Sequence, residues 1–231
     1  MNIITNERLV RRNARIAQVS MLAGLLVLAG GMYISFRVPE QFGLSLVALL
    51  VGFTLSQIGI YFSNRWGRKP RPDELLDQAL KGLDSHYTIF HYTGPASHLL
   101  VGPAGIWVLQ PYHQRGTITY SKGRWRQKGG NIYMKIFAQE GIGRPDVEVS
   151  AEVQSVQRFL QEHFPDDDKI PDVEAALVFT NPKVEINIPE DESPPADTLP
   201  VAKLKSEIRK KAKDKYLSPE RADQIAAKIA A

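Results

Sequence analysis

The sequence predicts a mixed α/β domain, a sheet flanked by helices, preceded by an N-terminal two-helix transmembrane hairpin. Three observations carry this. Ile16–Phe36 and Phe42–Ser63 contain no charged residue. Beyond Pro72, short β-type runs alternate with amphipathic helical stretches. The net positive excess lies before that point, where it would flank the spans.

The charge partition shows why the pI of about 9.2 misleads. Residues 1–71 hold nine Lys/Arg and two acids, Glu7 and Glu40, a net of +7. Residues 72–231 hold the other 20 Lys/Arg and 23 acids, a net of −3. The basic excess therefore belongs to the membrane flanks, and the remainder is mildly acidic. The 231 residues include no cysteine, which excludes disulfides, thiolate catalysis and Cys-based zinc or iron–sulfur sites.

The hairpin comes first. Each uncharged run is close to the roughly 20 residues needed to cross a hydrocarbon core as a helix. A helix satisfies its own backbone hydrogen bonds, as lipid demands. The intervening Arg37-Val38-Pro39-Glu40-Gln41 is too short for a folded element, so the helices should be antiparallel neighbours. Arg8, Arg11, Arg12 and Arg15 precede the first span, and Arg65, Arg68, Lys69 and Arg71 follow the second. The positive-inside rule then places both termini in the cytoplasm. Ser20 with Gly24 and Gly52 with Ser56 are small-residue pairs that allow close helix packing. Neither span carries an ionisable residue, so the hairpin reads as an anchor and not as a transport pathway. A cleaved signal peptide fits poorly, because a second full-length span follows at once.

The expected organisation is a basic N-terminus (1–15), the hairpin (16–63, with spans 16–36 and 42–63), a basic linker (64–72), a cytoplasmic domain (73–208) and a helical tail (209–231). In the domain, Asp73 caps a helix over Glu74–Leu83, with Leu75, Leu76, Ala79, Leu80 and Leu83 at helical spacing. Strands follow over 87–92, 98–101 and 105–110, the last two joined by Gly102-Pro103-Ala104-Gly105. Thr117–Ser121 and Arg124–Gln127 form a hairpin around Lys122-Gly123. Val147–Phe164 is helical, and Val173–Thr180 is an apolar strand buried on both faces. Ile186–Ile188 is a short strand, and Pro189–Thr198 an acidic, proline-rich loop. Pro200–Lys213 and a stretch opened by Ser218-Pro219-Glu220 are helices.

Through most of 73–208 this pattern resembles the nuclease-related domain (NERD) family. The residues that carry the likeness are the Glu-Leu-Leu-x-x-x-Leu helix, Ser97-His98-Leu99-Leu100-Val101-Gly102-Pro103-Ala104-Gly105-Ile106-Trp107-Val108-Leu109-Gln110, Gly116-Thr117-Ile118, and Ala176-Leu177-Val178-Phe179-Thr180-Asn181. The resemblance implies a restriction-endonuclease-like PD-(D/E)xK core. It also implies a metal site with an Asp before one strand and a Glu-x-Lys at the end of the next. There the carboxylates would hold Mg2+, which activates water, and the lysine would stabilise developing charge. Those three positions fall on Ser97, Gln110 and Tyr112. A hydroxyl and an amide are poor ligands for a hard dication, and Tyr112 supplies no positive charge.

The leading expectation is thus a catalytically degenerate NERD-like domain, acting as a binding or scaffolding module at a prokaryotic cell membrane. Its partners would be membrane lipid and an unknown protein, with no cofactor. The first alternative is a Mg2+-dependent nuclease with a rearranged site, for which Glu74, Asp84, His98 and His113 are the candidates. The second is a non-catalytic binder of nucleic acid or anionic lipid. It would use Lys122, Arg124, Trp125, Arg126 and Lys128, where cations alternate with an aromatic. Lys203, Lys205, Arg209, Lys210, Lys211, Lys213 and Lys215 form a second basic stretch, which solvation or attraction to a membrane surface explains as well as a partner does. No Walker A, Rossmann, Ser-His-Asp or zinc signature is present.

Overall fold

A computed structural model of the chain describes residues 1–129, 141–165, 172–214 and 217–230. Lys215, named above, lies outside these. The chain divides into two compact units. One is Glu7–Arg71; the other combines Met1–Asn6 with the described residues from Pro72 onward.

The first unit consists of α1 (Glu7–Arg37), a single turn at Pro39–Gln41 and α2 (Phe42–Phe62), which runs on into a wider turn at Ser63–Gly67. Both α1 and α2 are long and apolar enough to cross a membrane. They pack through small residues. A Cβ added at Gly24 would lie 2.7 Å from Ser56 Oγ and 3.0 Å from the Gly52 carbonyl. One added at Gly31 would lie 2.7 Å from the Ala48 Cβ. The hydroxyls of Thr54 and Ser56 donate to the carbonyls of Leu50 and Gly52, both at 2.8 Å, so neither is left bare on an apolar helix. Large side chains point outward instead, with Leu25 62 %, Leu26 63 % and Phe36 79 % exposed.

The second unit is a three-layer sandwich. Its main sheet has six strands: β1 (Asn2–Thr5), β2 (Thr88–His91), β3 (His98–Gly102), β4 (Gly105–Tyr112), β7 (Val173–Phe179) and β9 (Asp197–Pro200), in that spatial order. A second sheet runs β6 (Arg124–Lys128), β5 (Gly116–Ser121), β8 (Val184–Asn187). In the main sheet β2, β3 and β4 form an antiparallel meander, while β1, β7 and β9 pair in parallel.

Alternation along the strands divides the core in two. Ile89, Leu100, Trp107, Leu109, Ala176 and Val178 face α3 (Pro72–Leu80) and α5 (Val201–Asp214), where Leu76, Leu80, Leu204 and Ile208 are fully buried. Phe90, Leu99, Val101, Ile106, Val108, Leu177 and Phe179 face the other way. They meet Val149, Val156 and Leu160 of α4 (Pro145–His163) and Ala222 and Ile225 of α6 (Pro219–Ala230). Burial of each valine, leucine, isoleucine or phenylalanine among these contributes about 1.5–3 kcal/mol. The Gly102 turn is tied to this packing, because a Cβ there would run into the ring of Tyr87.

Several expected boundaries shift. The first six residues of the expected basic N-terminus join the sheet: Asn2–Thr5 add an edge strand to β2, and Met1 donates from its ammonium to the Leu83 carbonyl at 3.3 Å. The linker's first residues, Asn64–Gly67, continue the helical path. Helix α3 starts at Pro72, so Asp73 sits inside its first turn and is buried. The acidic loop ends in a strand, Asp197–Pro200, paired to β7. Residues 209–231 are not a tail, because Ala222, Ile225, Ala226 and Ile229 of α6 are core.

Candidate functional site

Ser97 directly precedes β3, and Gln110 and Tyr112 end β4. The β3–β4 register pairs Leu99 with Val108, and extending it by two residues sets Ser97 level with Gln110. By alternation Ser97, Gln110 and Tyr112 share the sheet face of Leu99 and Val108, which α4 covers. The three positions named from sequence therefore occupy one patch.

Two α4 carboxylates meet this patch. Ser97 donates to Glu152 twice, from Oγ to Oε1 at 2.7 Å and from its backbone N–H to Oε2 at 3.2 Å. Tyr112 donates its phenol to Glu148 Oε2 at 2.8 Å. Glu148 and Glu152 are four residues apart, hence neighbours on one helix face. Tyr112 is fixed from behind as well. Its ring stacks on Phe179 with centroids 5.6 Å apart, and its carbonyl accepts from the Thr180 backbone N–H at 2.7 Å and the Thr180 hydroxyl at 3.1 Å. Gln110 is 8 % exposed. The patch thus pairs two acceptor groups with the hydroxyl donors that satisfy them.

This donor set does not fit the Mg2+ that the family resemblance implies. The strand positions offer a hydroxyl, an amide and a phenol. The two nearby carboxylates are engaged by Ser97 and Tyr112. Among the described residues no three His, Asp or Glu side chains converge as a metal set.

The other expected candidates lie elsewhere. Glu74 is on α3, across the sheet from this patch, and Asp84 caps the loop after α3 by accepting from the His86 N–H at 2.9 Å. His113 lies in the loop after β4, where its carbonyl accepts from Asn181 Nδ2 at 3.2 Å. His98 opens β3. It is 2 % exposed on the α3 side, with its Nδ1 2.8 Å from Nδ1 of His91, whose Nε2 is 3.0 Å from Asp77 Oδ1. These contacts link Asp77, His91 and His98 in one chain that runs from a half-buried carboxylate to two buried rings, with donor and acceptor roles set by the tautomer of each ring.

The basic segments divide. Arg124, Arg126 and Lys128 are exposed along β6. Trp125 is only 9 % exposed and packs on Tyr120 with ring centroids 4.9 Å apart, so the expected aromatic contact is turned into the core. In the second stretch, Lys205 donates to the Lys81 carbonyl at 2.6 Å and Arg209 to the Gly82 carbonyl at 3.0 Å, closing the C-terminal end of α3. Lys211 is 3.2 Å from Asp197 and lies over the Trp107 ring at 5.6 Å. Lys205, Arg209 and Lys211 of that stretch therefore serve packing within the unit.

Glu148, Glu152, Asp77 and His91 escaped the sequence reading. The signal for the first two was an i,i+4 carboxylate pair flanking Val149 and Val153 on an amphipathic helix. No family model, curated protein or solved structure matches the chain.

Proposed function

We propose that the chain is a membrane-anchored, NERD-like cytoplasmic domain whose nuclease centre has given way to a hydrogen-bonded lock, and that it acts as a binding or scaffolding module. The observation that carries this reading is the pairing of Ser97 with Glu152 and of Tyr112 with Glu148. It closes the patch where the resemblance expects metal chemistry with neutral donors. The order helix, three-stranded meander, helix, parallel strand supports the restriction-endonuclease-like comparison.

Two further observations support the anchoring. Two helices have the length and apolarity of spans. Met1–Asn6, just before α1, and the described residues from Pro72 onward also belong to one folded unit, since β1 pairs with β2. A hairpin that leaves and returns to the same side satisfies that pairing, and the arginine-rich flanks favour the cytoplasmic side.

The test is a cleavage assay. The full chain in detergent micelles is incubated with DNA and RNA in the presence of Mg2+ or Mn2+. No cleavage above a protein-free control is expected. Metal-dependent cleavage abolished by Glu148→Gln with Glu152→Gln would overturn the reading in favour of a rearranged nuclease.

A further inference from the structure

We infer that the outer face of the β6-β5-β8 sheet is a docking surface for an anionic phospholipid bilayer. This rests on the hairpin being membrane-embedded, and it names a partner for the module.

The face is built by register. In the β5–β6 ladder Thr117 pairs with Lys128, Thr119 with Arg126 and Ser121 with Arg124. Directly opposed side chains point the same way, so a row of three cations runs beside a row of three hydroxyls. On the far side β8 adds Glu185 level with Thr117 and Asn187 level with Thr119. The inner face holds Ile118, Tyr120, Trp125 and Ile186. Lys122 and Gly123 form the hairpin turn, both with positive φ, at 52° and 70°. That is the geometry of a tight two-residue turn, whose twist matches the strands and keeps the cation row regular.

The acids that border this face are engaged within it. Glu185 accepts from the Thr117 hydroxyl at 3.2 Å. Glu192 accepts from the Ser121 hydroxyl at 3.3 Å and from the Lys122 N–H at 2.7 Å. Among the described residues Arg124, Arg126 and Lys128 have no ion-pair partner. Alternate residues along a strand are about 6.6–6.8 Å apart, so the cations form a flat row and not a cup around one phosphate. A flat row fits a two-dimensional array of headgroups. Binding of single-stranded nucleic acid would need an exposed aromatic platform, and the face lacks one because Trp125 and Tyr120 point inward.

The chain has no cysteine, so one introduced thiol can be labelled alone. Asn187→Cys is exposed on this face and is not one of the cations. The labelled full chain is reconstituted into nanodiscs of phosphatidylcholine, with or without phosphatidylglycerol, each containing a headgroup-nitroxide lipid. Quenching of the label is expected in the anionic discs and not in the neutral ones. It should be lost in about 1 M NaCl, where the screening length is about 3 Å. Arg124→Gln, Arg126→Gln and Lys128→Gln together should weaken the docked state on the order of a hundredfold. Equal quenching in both discs, quenching that survives salt, or no quenching would overturn the proposal. So would protection of the label by an oligonucleotide in neutral discs, which would make nucleic acid the occupant. The salt titration uses the unaltered cations and stands even if the triple variant misfolds. Recovery of the chain in the discs reports on the hairpin and quenching reports on the sheet, so the two readings fail separately.

Discussion

Leu25 and Leu100 are the same side chain in opposite circumstances. Leu25, in α1, is 62 % exposed, while Leu100, in β3, is completely enclosed. The contrast extends to their whole units. Within Glu7–Arg71 the buried positions of the two long helices are mostly small, Ala17, Gly24, Gly31, Gly52 and Gly59 beside Val10 and Asn13, and the large exposed side chains include leucine, valine, phenylalanine, tyrosine and methionine. In the other unit the enclosed side chains are Trp107, Phe90, Phe179 and many leucines and isoleucines, and the exposed ones are largely charged. Water drives the second arrangement through the hydrophobic effect. It cannot drive the first, which suits a solvent as apolar as leucine itself, where helices associate by close packing of small residues. The membrane-anchored reading accounts for both halves of the contrast.

The largest effect that tests this comparison is a leucine truncation made once in each unit. Leu100→Ala should lower domain stability by about 2–5 kcal/mol, the usual cost of emptying a tightly packed site. Leu25→Ala should leave it unchanged. Urea unfolding of the full chain in micelles, followed by tryptophan fluorescence, reads both. Comparable losses would mean that Leu25 contributes to a water-driven core, and the contrast would fail.

A smaller effect separates two glycines of the hairpin. A Cβ at Gly59 would lie 2.9 Å from the Met21 backbone nitrogen and 3.2 Å from the Ala17 carbonyl, whereas one at Gly30 meets nothing within 4 Å. Gly59→Leu should therefore destabilise the helix pair by about 1–3 kcal/mol through overpacking, and Gly30→Leu by much less. Unfolding by titration with sodium dodecyl sulfate, with paired spin labels across the hairpin, gives the two values. Equal responses would show that backbone proximity at Gly59 does not hold the helices together.

How much could be read in advance follows the same division. The two long apolar helices were legible, because uncharged runs of this length have few alternatives, but α1 begins at Glu7 and not at Ile16, since its arginine-bearing first turns are helical too. In the domain the long apolar strands and amphipathic helices were also visible, as was the Lys122-Gly123 turn. Strands β1 and β9 were not. Asn2–Thr5 and Asp197–Pro200 are four residues each and join the sheet through backbone pairing, which leaves almost no side-chain period. Ser97, Gln110 and Tyr112 could be placed from the sequence. Their partners Glu148 and Glu152 could not, because a carboxylate on a helix acquires a role only once the helix is set against the strand ends. Trp125 was misjudged for a related reason. An alternating strand has two faces, and composition marked the cations without telling which face the ring takes.

The finest effect concerns a titrating group on the water-driven side alone. Burial raises the Tyr87 phenol above its ordinary value of 10.0, and the nearby Asp84 carboxylate raises it further; the Ala104 backbone and Arg209 oppose both. A phenol with a raised folded-state pKa favours the folded state fully while it stays protonated in both states, below pH 10.0. As pH rises past that point the unfolded chain ionises first. The contribution is then lost through the interval up to the folded value. Tyr87→Phe removes the group, so its urea midpoint should fall less steeply than the parent's between about pH 9 and 11. Near neutrality the two should differ by about 1 kcal/mol or less, the scale of one hydrogen bond. Asp84→Asn keeps the phenol but removes the second cause of its shift, so its alkaline loss should be intermediate. Parallel curves for the parent and Tyr87→Phe would show that the phenol is not held neutral by its burial against Gly102.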